Sequence, residues 1–125
     1  MRVVGVTGTN GKTTVTYLLE SIFTKVGAPA GVLGTVNYRL RGRTLEAAAH
    51  TTPLSLELQR LLSRMQGDGA PHVAMEVSSH ALALNRADAA AFDAAIFTNL
   101  QRDHLDFHKD RESYFEAKLR LFQLL

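Results

Sequence analysis

The sequence predicts an α/β fold in which a mainly parallel β-sheet is flanked by helices. Short apolar runs that are typical of buried strands alternate with segments whose apolar residues recur at helical spacing. A glycine-rich turn joins the first such run to the first such helix, as in units with right-handed crossovers. The chain has 125 residues, which suits one domain, and no internal repeat or linker divides it.

The first strand and the first helix have the clearest patterns. Residues 3–6 form a short apolar run, and Gly27 followed by Pro29 predicts where the next helix ends. Between them, apolar residues recur at intervals of three and four, which predicts one face of an amphipathic helix. These residues are Val15, Leu18, Leu19, Ile22, Phe23 and Val26. Residues 31–36 then predict a second strand.

The middle of the chain begins with a polar and basic stretch, residues 37–49, which predicts either a hairpin or a mobile loop. Pro53 is placed for the first turn of a second helix, and Gly67 and Gly69 close that helix. The apolar stripe of this helix consists of Leu54, Leu58, Leu61, Leu62 and Met65.

The last part of the chain predicts two more strands and two more helices. Residues 72–77 and 94–99 are apolar runs of strand length. The serine pair that starts at Ser78 begins a short helix, and Asp110 caps a last helix that runs towards Leu125.

Composition narrows the classes of function. Lysine and arginine are scattered and the net charge is only +2, which argues against a nucleic-acid partner. The chain has no cysteine, so it can form neither disulfides nor thiolate metal sites. No apolar run approaches the ~20 residues of a membrane span, and the chain starts in a strand rather than a signal peptide. We therefore expect a cytoplasmic protein that is not inserted in a membrane.

The turn after the first strand has the residues of a phosphate-binding loop. Gly8 and Gly11 allow the backbone to wrap closely round an anion, and Asn10 tolerates left-handed geometry. Amides at the positive end of the following helix then face the phosphates. In such a loop Lys12 can reach the β and γ phosphates of ATP, and the hydroxyl of Thr13 can be a ligand for Mg²⁺.

One position departs from the usual phosphate-loop pattern, which would place its first glycine where this chain has Val6. The alternative is a tight strand-to-helix turn with an exposed lysine. The order of strand, loop and long amphipathic helix favours the phosphate site. Its predicted residues are Gly8, Thr9, Asn10, Gly11, Lys12, Thr13 and Thr14.

Two further segments carry groups that bind metals. Glu76 ends an apolar strand, where ligands collect in open α/β sheets, so it either holds Mg²⁺ or makes a cap or salt bridge. His104 and His108 are spaced as zinc ligands often are, but the glutamate of a zinc peptidase is absent. One metal-facing histidine beside the phosphates and an ordinary surface loop are equally compatible with this spacing.

Lys118 and a threonine pair also stand out. Lys118 lies within the apolar stripe of the last helix. It either extends its ammonium to water or turns towards a site, paired with an anion or covalently converted into one. Thr51 and Thr52 precede the helix near Pro53, and from the residues alone a helix cap is favoured over an anionic substrate.

Taken together, several segments resemble the central ATPase domain of the Mur ligases, the ATP-dependent amide-forming enzymes of peptidoglycan synthesis. The segments are residues 7–14, 51–53, 75–80, 97–100, 103–106 and 116–118. The family loop also lacks the first glycine of the usual pattern, so Val6 supports the resemblance. Within the family, the combination is most similar to the ligases that extend UDP-MurNAc-L-Ala-D-Glu.

The resemblance implies a role for each group. Residues 8–14 would bind ATP, with Thr13, Glu76, His104 and Lys118 at the Mg²⁺ ions. Lys118 would be carbamylated, and it would share catalysis with Lys12 and His104. The UDP-sugar dipeptide would be held by Thr51, Thr52, Ser78 and Arg86.

The implied reaction has two steps. The terminal carboxylate of the UDP-MurNAc-dipeptide attacks the γ phosphate, which gives an acyl phosphate and ADP. The amine of an amino acid, expected to be a diamino acid, then displaces phosphate and forms the amide. This would serve peptidoglycan synthesis, and through it cell wall biogenesis, cell shape and cell division.

The resemblance also implies that residues 1–125 are the N-terminal part of a central ATP-binding domain. The UDP-binding and amino-acid-binding domains of a complete ligase have no counterpart here. We therefore expect a fragment that is inactive as a ligase by itself and that can self-associate. The alternatives are another Mur ligase, an enzyme like folylpolyglutamate synthetase, or a nucleotide-binding module without ligase activity.

Overall fold

The computed structural model describes residues 1–101 and 110–125. It contains six strands: β1 (Arg2–Thr7), β2 (Ala30–Leu33), β3 (Asn37–Leu40), β4 (Arg43–Ala47), β5 (His72–Glu76) and β6 (Ala94–Phe97). It contains four helices: α1 (Lys12–Lys25), α2 (Ser55–Gly67), α3 (Ser79–Ala83) and α4 (Arg111–Gln123). None of these described helices has the length and the apolar run needed to cross a membrane.

The strands form one sheet in the order β4-β3-β2-β5-β1-β6. β2, β5, β1 and β6 run parallel to one another, whereas β3 pairs antiparallel with both β2 and β4 at one edge. The predicted α/β class with a mainly parallel sheet is therefore confirmed. β1 is flanked by β5 and β6, so the loop that follows β1 lies between the carboxyl ends of two parallel strands.

A hairpin and a mobile loop were the two alternatives predicted for residues 37–49. The structure shows the hairpin, because β3 pairs with β4. Its two-residue turn has positive φ at both positions, 51° at Arg41 and 75° at Gly42, which matches the twist of paired strands. The second strand is shorter than predicted. It ends at Leu33, and residues 34–36 turn away from the sheet.

Helices cover the two faces of the sheet unequally. α1 lies on one face, where Phe23 stacks on His72 of β5 with ring centroids 4.3 Å apart. α2 lies on the other face, over Gly31 of β2, where an added Cβ would meet the sulfur of Met65 at 2.5 Å. α4 packs on that second face as well, and Leu121 approaches β1. α1 therefore covers the first face, while α2 and α4 lie on the second and α3 packs against α4.

The apolar stripe of α2 is buried as its spacing predicts. Leu58, Leu61 and Met65 are fully buried, and Leu62 is 8% exposed. The predicted start of α2 was less accurate, because the helix begins at Ser55. Pro53 precedes its first turn, and Leu54 at the N-cap is half exposed.

The apolar stripe of α1 does not form one buried face. Leu18 and Ile22 are each 57% exposed and Val26 is 70% exposed, while Thr16 and Glu20 are buried against the sheet. Glu20 is paired with Arg39 of β3 at 3.1 Å. The periodicity predicted the helix correctly, but the side that faces the sheet is the more polar one.

The last helix starts as predicted. Asp110 is its N-cap, and its side chain accepts a hydrogen bond from the amide of Ser113 at 2.7 Å. This hydrogen bond lowers the pKa of Asp110 below its usual value, since it favours the charged carboxylate. The cap fixes where α4 begins, and therefore which of its side chains reach the sheet.

Candidate nucleotide and metal site

The carboxyl ends of β1, β2 and β5 open into a cavity of about 490 Å³. That volume is within the range of small-molecule sites, ~300–1,000 Å³. Among the residues predicted from the sequence, those that line it are Thr9, Asn10, Gly11, Lys12, Thr13, Thr14, Thr51, Thr52, Glu76, Ser78, Arg86 and Lys118. Thr35, His50, Ser79 and His80 line it too and were not predicted.

The loop between β1 and α1 has the backbone that its glycines predict. φ is 138° at Gly8 and 87° at Gly11, which is the N-cap residue of α1. A Cβ on Gly8 would lie 1.9 Å from the hydroxyl of Thr98. Gly8 is therefore needed for space as well as for its dihedral angle.

Asn10 contributes in another way than predicted. Among the described non-glycine residues, only Arg41 and Asn85 have a positive φ, so Asn10 does not use the left-handed region. Its amide donates to the side-chain oxygen of Asn99 at 3.0 Å, and its carbonyl accepts from the side-chain nitrogen of Asn99 at 3.0 Å. A reciprocal pair of hydrogen bonds therefore holds the middle of the loop.

Thr98 and Asn99 at the end of β6 are supporting residues that the sequence did not single out individually. The hydroxyl of Thr98 donates to the Asn10 carbonyl at 2.7 Å, and the carbonyl of Asn99 accepts from the Thr9 amide at 2.9 Å. The sequence feature that could have identified these two residues is their position directly after an apolar strand. The loop is thus held from the adjacent parallel strand.

Lys12 and the start of α1 present positive charge to the cavity. The ammonium of Lys12 donates to the carbonyls of Gly8 and Thr9 at 2.8 and 3.0 Å. The amides of Thr13 and Thr14 belong to the first helical turn, where backbone donors have no intrahelical acceptor. The charge and these oriented amides favour an anion at this place.

Glu76 is held in one orientation at the end of β5 and is 1% exposed. Its carboxylate accepts hydrogen bonds from the hydroxyl of Thr13 at 2.9 Å, from the amide of Thr35 at 3.1 Å and from the hydroxyl of Thr35 at 2.9 Å. Carboxylate and hydroxyl oxygens are the ligands that Mg²⁺ prefers. The residues present therefore fit a Mg²⁺ ion that is also held by phosphate oxygens and water.

Thr51 and Thr52 do not cap α2, which corrects the interpretation favoured from the residues alone. The N-cap residue of α2 is Leu54, which has no side-chain oxygen. The hydroxyl of Thr52 instead donates to the carbonyl of Glu76 at 3.0 Å and accepts from the amide of Ser78 at 3.0 Å. The hydroxyls of Thr51 and Thr35 are 3.1 Å apart. The threonine pair therefore belongs to the cavity wall.

The wall beside this pair is completed by the start of α3. Ser78 is the N-cap of α3, and its hydroxyl accepts from the amide of Ala81 at 3.1 Å. Arg86, half buried, follows α3 and lines the same cavity. The segment before Thr51 is anchored by Tyr38, whose hydroxyl donates to the carbonyl of His50 at 2.9 Å. Burial raises the pKa of Tyr38 above its usual value.

Lys118 lies inside the protein with its ammonium towards the phosphate loop. It is 1% exposed, so the predicted alternative in which the ammonium reaches water is wrong. The ammonium donates to the carbonyl of Gly8 at 2.9 Å and lies 4.3 Å from the ring centre of Tyr114. The hydroxyl of Tyr114 in turn lies 3.0 Å from that of Thr9. α4 therefore contacts the loop through two side chains, of which Tyr114 was not predicted.

The predicted histidine ligand cannot be placed. His104, and with it His108, lies outside the described residues. Within residues 1–101 and 110–125, no group of three histidine, cysteine or acidic side chains is arranged to hold a metal. Glu76 is therefore the acidic group around which the described oxygen donors gather.

Comparison with known proteins gives one consistent result. The model of the Mur ligase middle domain family matches residues 6–125. A Geobacter sulfurreducens protein named UDP-N-acetylmuramoyl-L-alanyl-D-glutamate--2,6-diaminopimelate ligase is 59% identical over 120 residues, which are 96% of this chain and 23% of that protein. A ligase of the same name from Caldanaerobacter subterraneus is 48% identical over 124 residues, or 99% of this chain and 26% of that protein.

Solved structures agree with the sequence relatives. One described as a structure of the same ligase has a TM-score of 0.88 and 37% identity, and covers 99% of this chain and 25% of that one. E. coli FolC in complex with DHPP and ADP has a TM-score of 0.75 and 27% identity, and covers 96% of this chain and 34% of FolC. The chain thus spans about a quarter of the length of the curated relatives it matches. Since the family model covers nearly all of it, the chain belongs to the Mur ligase middle domain family.

Proposed function

We propose that this chain is the ATP-binding part of a ligase that joins 2,6-diaminopimelate to UDP-MurNAc-L-Ala-D-Glu in peptidoglycan synthesis. One observation carries the proposal. A single cavity is lined by the phosphate loop, by Glu76 and by the threonines at 51 and 52. The names of the relatives supply the substrate and the amino acid.

In this proposal the start of α1 holds ATP. The amides of Thr13 and Thr14 and the ammonium of Lys12 bind the phosphate oxygens. To do so, Lys12 exchanges its contacts with the loop carbonyls for contacts with phosphate. Thr13 and Glu76, whose side chains are 2.9 Å apart, hold Mg²⁺ together. A Mg²⁺ ion held there would supply positive charge against the phosphates, which would favour the approach of an anionic carboxylate.

Other residues that line the cavity orient the acceptor. Thr51, Thr52, Ser78 and Arg86 bind the UDP-linked dipeptide so that its terminal carboxylate faces the γ phosphorus. Attack by the carboxylate oxygen breaks the bond to the β–γ bridging oxygen and gives an acyl phosphate and ADP. The amine of diaminopimelate then adds to the acyl carbon, and phosphate leaves. Much of the acceleration comes from holding the reactants in position.

Lys118 and His104 complete the proposed metal and phosphate site. Carbamylation joins the neutral amine of Lys118 to carbon dioxide and releases a proton. The product is an anion, so the modified Lys118 would give up its contact with the Gly8 carbonyl and turn to the metal. His104 is proposed as a further Mg²⁺ ligand from the family resemblance alone.

The whole enzyme requires more than this chain. We infer that UDP-binding and amino-acid-binding domains lie elsewhere in a longer protein, since the relatives are about four times as long. A cytoplasmic location fits the use of ATP and a UDP-linked substrate. An enzyme like FolC is less well supported, because FolC is 27% identical whereas the diaminopimelate ligases reach 59%. By itself, the chain would act as a nucleotide-binding module.

Nucleotide binding by the chain itself tests the first part of the proposal. We expect Mg²⁺-ATP to bind, as measured by calorimetry, and Lys12→Ala to weaken binding by about 10- to 100-fold through loss of a charge-assisted contact. Lys25→Ala is the matched control, because it removes the same charge from the exposed last turn of α1. Equal affinities of the two variants would contradict the assignment of Lys12.

Ligation by the full-length parent protein tests the second part. With ATP, Mg²⁺ and UDP-MurNAc-L-Ala-D-Glu, we expect a product with diaminopimelate, detected by mass spectrometry. Absence of product with every diamino acid tried would contradict the ligase assignment and leave only nucleotide binding.

A further inference from the structure

Thr35 lines the cavity, but neither the phosphate loop nor the proposed acceptor site includes it. It follows the end of β2, next to the carboxyl end of β5. Its amide and its hydroxyl both donate to the carboxylate of Glu76, at 3.1 and 2.9 Å. The same hydroxyl lies 3.1 Å from that of Thr51. Thr35 therefore touches both the proposed metal ligand and the proposed acceptor site.

The backbone at this turn is shaped around Glu76. A Cβ at position 34 would lie 2.2 Å from one carboxylate oxygen, so any other residue there would displace the side chain of Glu76. That oxygen accepts from the Thr13 hydroxyl and from the Thr35 amide, while the other oxygen accepts from the Thr35 hydroxyl. Gly34 and Thr35 thus enclose the side chain of Glu76 and fix the direction of both oxygens.

The direction of these hydrogen bonds follows from the chemistry of the groups. A carboxylate only accepts, so the single hydrogen of the Thr35 hydroxyl points to Glu76. The Thr35 oxygen is then an acceptor towards Thr51, and the hydrogen of Thr51 points to Thr35. Thr51 consequently presents a lone pair, and not a hydrogen, to a ligand in the cavity.

We propose that Thr35 is a positioning residue that couples the cation ligand Glu76 to the acceptor-binding residue Thr51. The coupling runs through two hydrogen bonds, from Thr51 to Thr35 and from Thr35 to Glu76, which we call the relay. The proposal rests on the function proposed above for Glu76 and Thr51. It adds a specificity: Thr51 receives a donor group of the UDP-linked peptide, an amide N–H or a hydroxyl, rather than a carboxylate or phosphate oxygen. An anionic oxygen could accept the hydrogen of Thr51 only if the hydrogen bond from Thr51 to Thr35 were broken first.

Cation binding to the chain tests the link to Glu76, with Mn²⁺ as the probe, followed by electron paramagnetic resonance in the presence of ADP. Thr35→Val removes the hydroxyl and keeps the shape, so we expect the Mn²⁺ affinity to fall by about 3- to 10-fold. Thr35→Ser restores the hydroxyl and is expected to bind within about twofold of the unmodified chain. Thr24→Val, on the exposed side of α1, is the control. Unchanged affinity in Thr35→Val would overturn the proposal.

A second measurement needs no metal and separates this proposal from the function above. Thr35→Val, Thr51→Val and the double variant are unfolded in urea, and their midpoints are compared. A relay predicts that the midpoint shift of the double variant is smaller than the sum of the single shifts. Additive shifts would overturn the relay. If the unmodified chain binds no Mn²⁺, the proposed metal site of the chain is wrong, and this cycle alone decides the relay.

Discussion

The helices α1 and α2 have similar apolar stripes in the sequence, but the stripe of α2 is largely buried whereas half of the stripe of α1 is exposed to solvent. In α2, Leu58, Leu61 and Met65 are fully buried on the sheet. In α1, Leu18, Ile22 and Val26 are 57–70% exposed, and the helix rests on the sheet through Thr16, Glu20 and Phe23. α2 packs as a structural helix does, whereas the orientation of α1 has another cause.

One contact that agrees with this orientation lies at the start of α1. The hydroxyl of Thr13 donates a hydrogen bond to Glu76 at the end of β5, so Thr13 lies on the side of the helix that faces the sheet. Residues three and seven positions further on, Thr16 and Glu20, then lie on the same side and face the sheet. With about 100° per residue, Leu18 and Ile22 lie about 140° and 180° round the helix from Thr13 and point to solvent. The buried face of α1 is therefore the one that carries the contact between Thr13 and Glu76.

The largest effect is expected in the core of α2. Leu61→Ala leaves a cavity among fully buried neighbours, so we expect a loss of about 2–5 kcal/mol in the free energy of unfolding, measured with urea. Leu56→Ala, in the same helix but 87% exposed, is the control, with an expected change below about 0.5 kcal/mol. Similar losses in both variants would mean that α2 does not pack on the sheet as described.

An intermediate effect is expected on the buried side of α1. Glu20→Ala leaves Arg39 without its carboxylate partner, and Arg39 keeps its contact with the ring of Tyr17 at 4.7 Å. We expect a loss of about 1–3 kcal/mol in the free energy of unfolding. Glu20→Gln keeps the shape and a hydrogen-bond acceptor, so its free energy of unfolding should fall by less than that of Glu20→Ala. If Glu20→Ala unfolds at the same urea concentration as the unmodified chain, the sheet-facing side of α1 is misassigned.

The elements that the sequence predicted well depend on local interactions. Gly8 and Gly11 have positive φ because a tight loop needs it, and Asp110 caps α4 through a residue three positions away. The stripe of α2 was predicted correctly because hydrophobic burial alone decides its packing. In each of these cases, neighbours along the chain carry enough information.

The features that the sequence did not predict depend on contacts between distant segments. Thr35 and Glu76 are 41 positions apart, and the contact between Thr9 and Tyr114 spans 105 positions. Thr52 could be assigned to the cavity wall rather than a helix cap only once β5 was placed beside it. The orientation of α1 likewise involves contacts between distant positions, such as those that join positions 13 and 76 and positions 20 and 39.

The smallest effect on stability is expected on the exposed side of α1. Leu18→Gln combined with Ile22→Gln replaces two side chains that are each 57% exposed, so the free energy of unfolding should change by less than about 1 kcal/mol. The same change should lower self-association of the chain, measured by sedimentation velocity over a range of concentrations. The reason is that these side chains and Val26 form one apolar strip on the surface. Leu56→Gln is the control, because it removes an exposed leucine from a different helix. A large loss of stability in the double variant, with self-association unchanged, would mean that the stripe packs inside the chain and that α1 is oriented as α2 is.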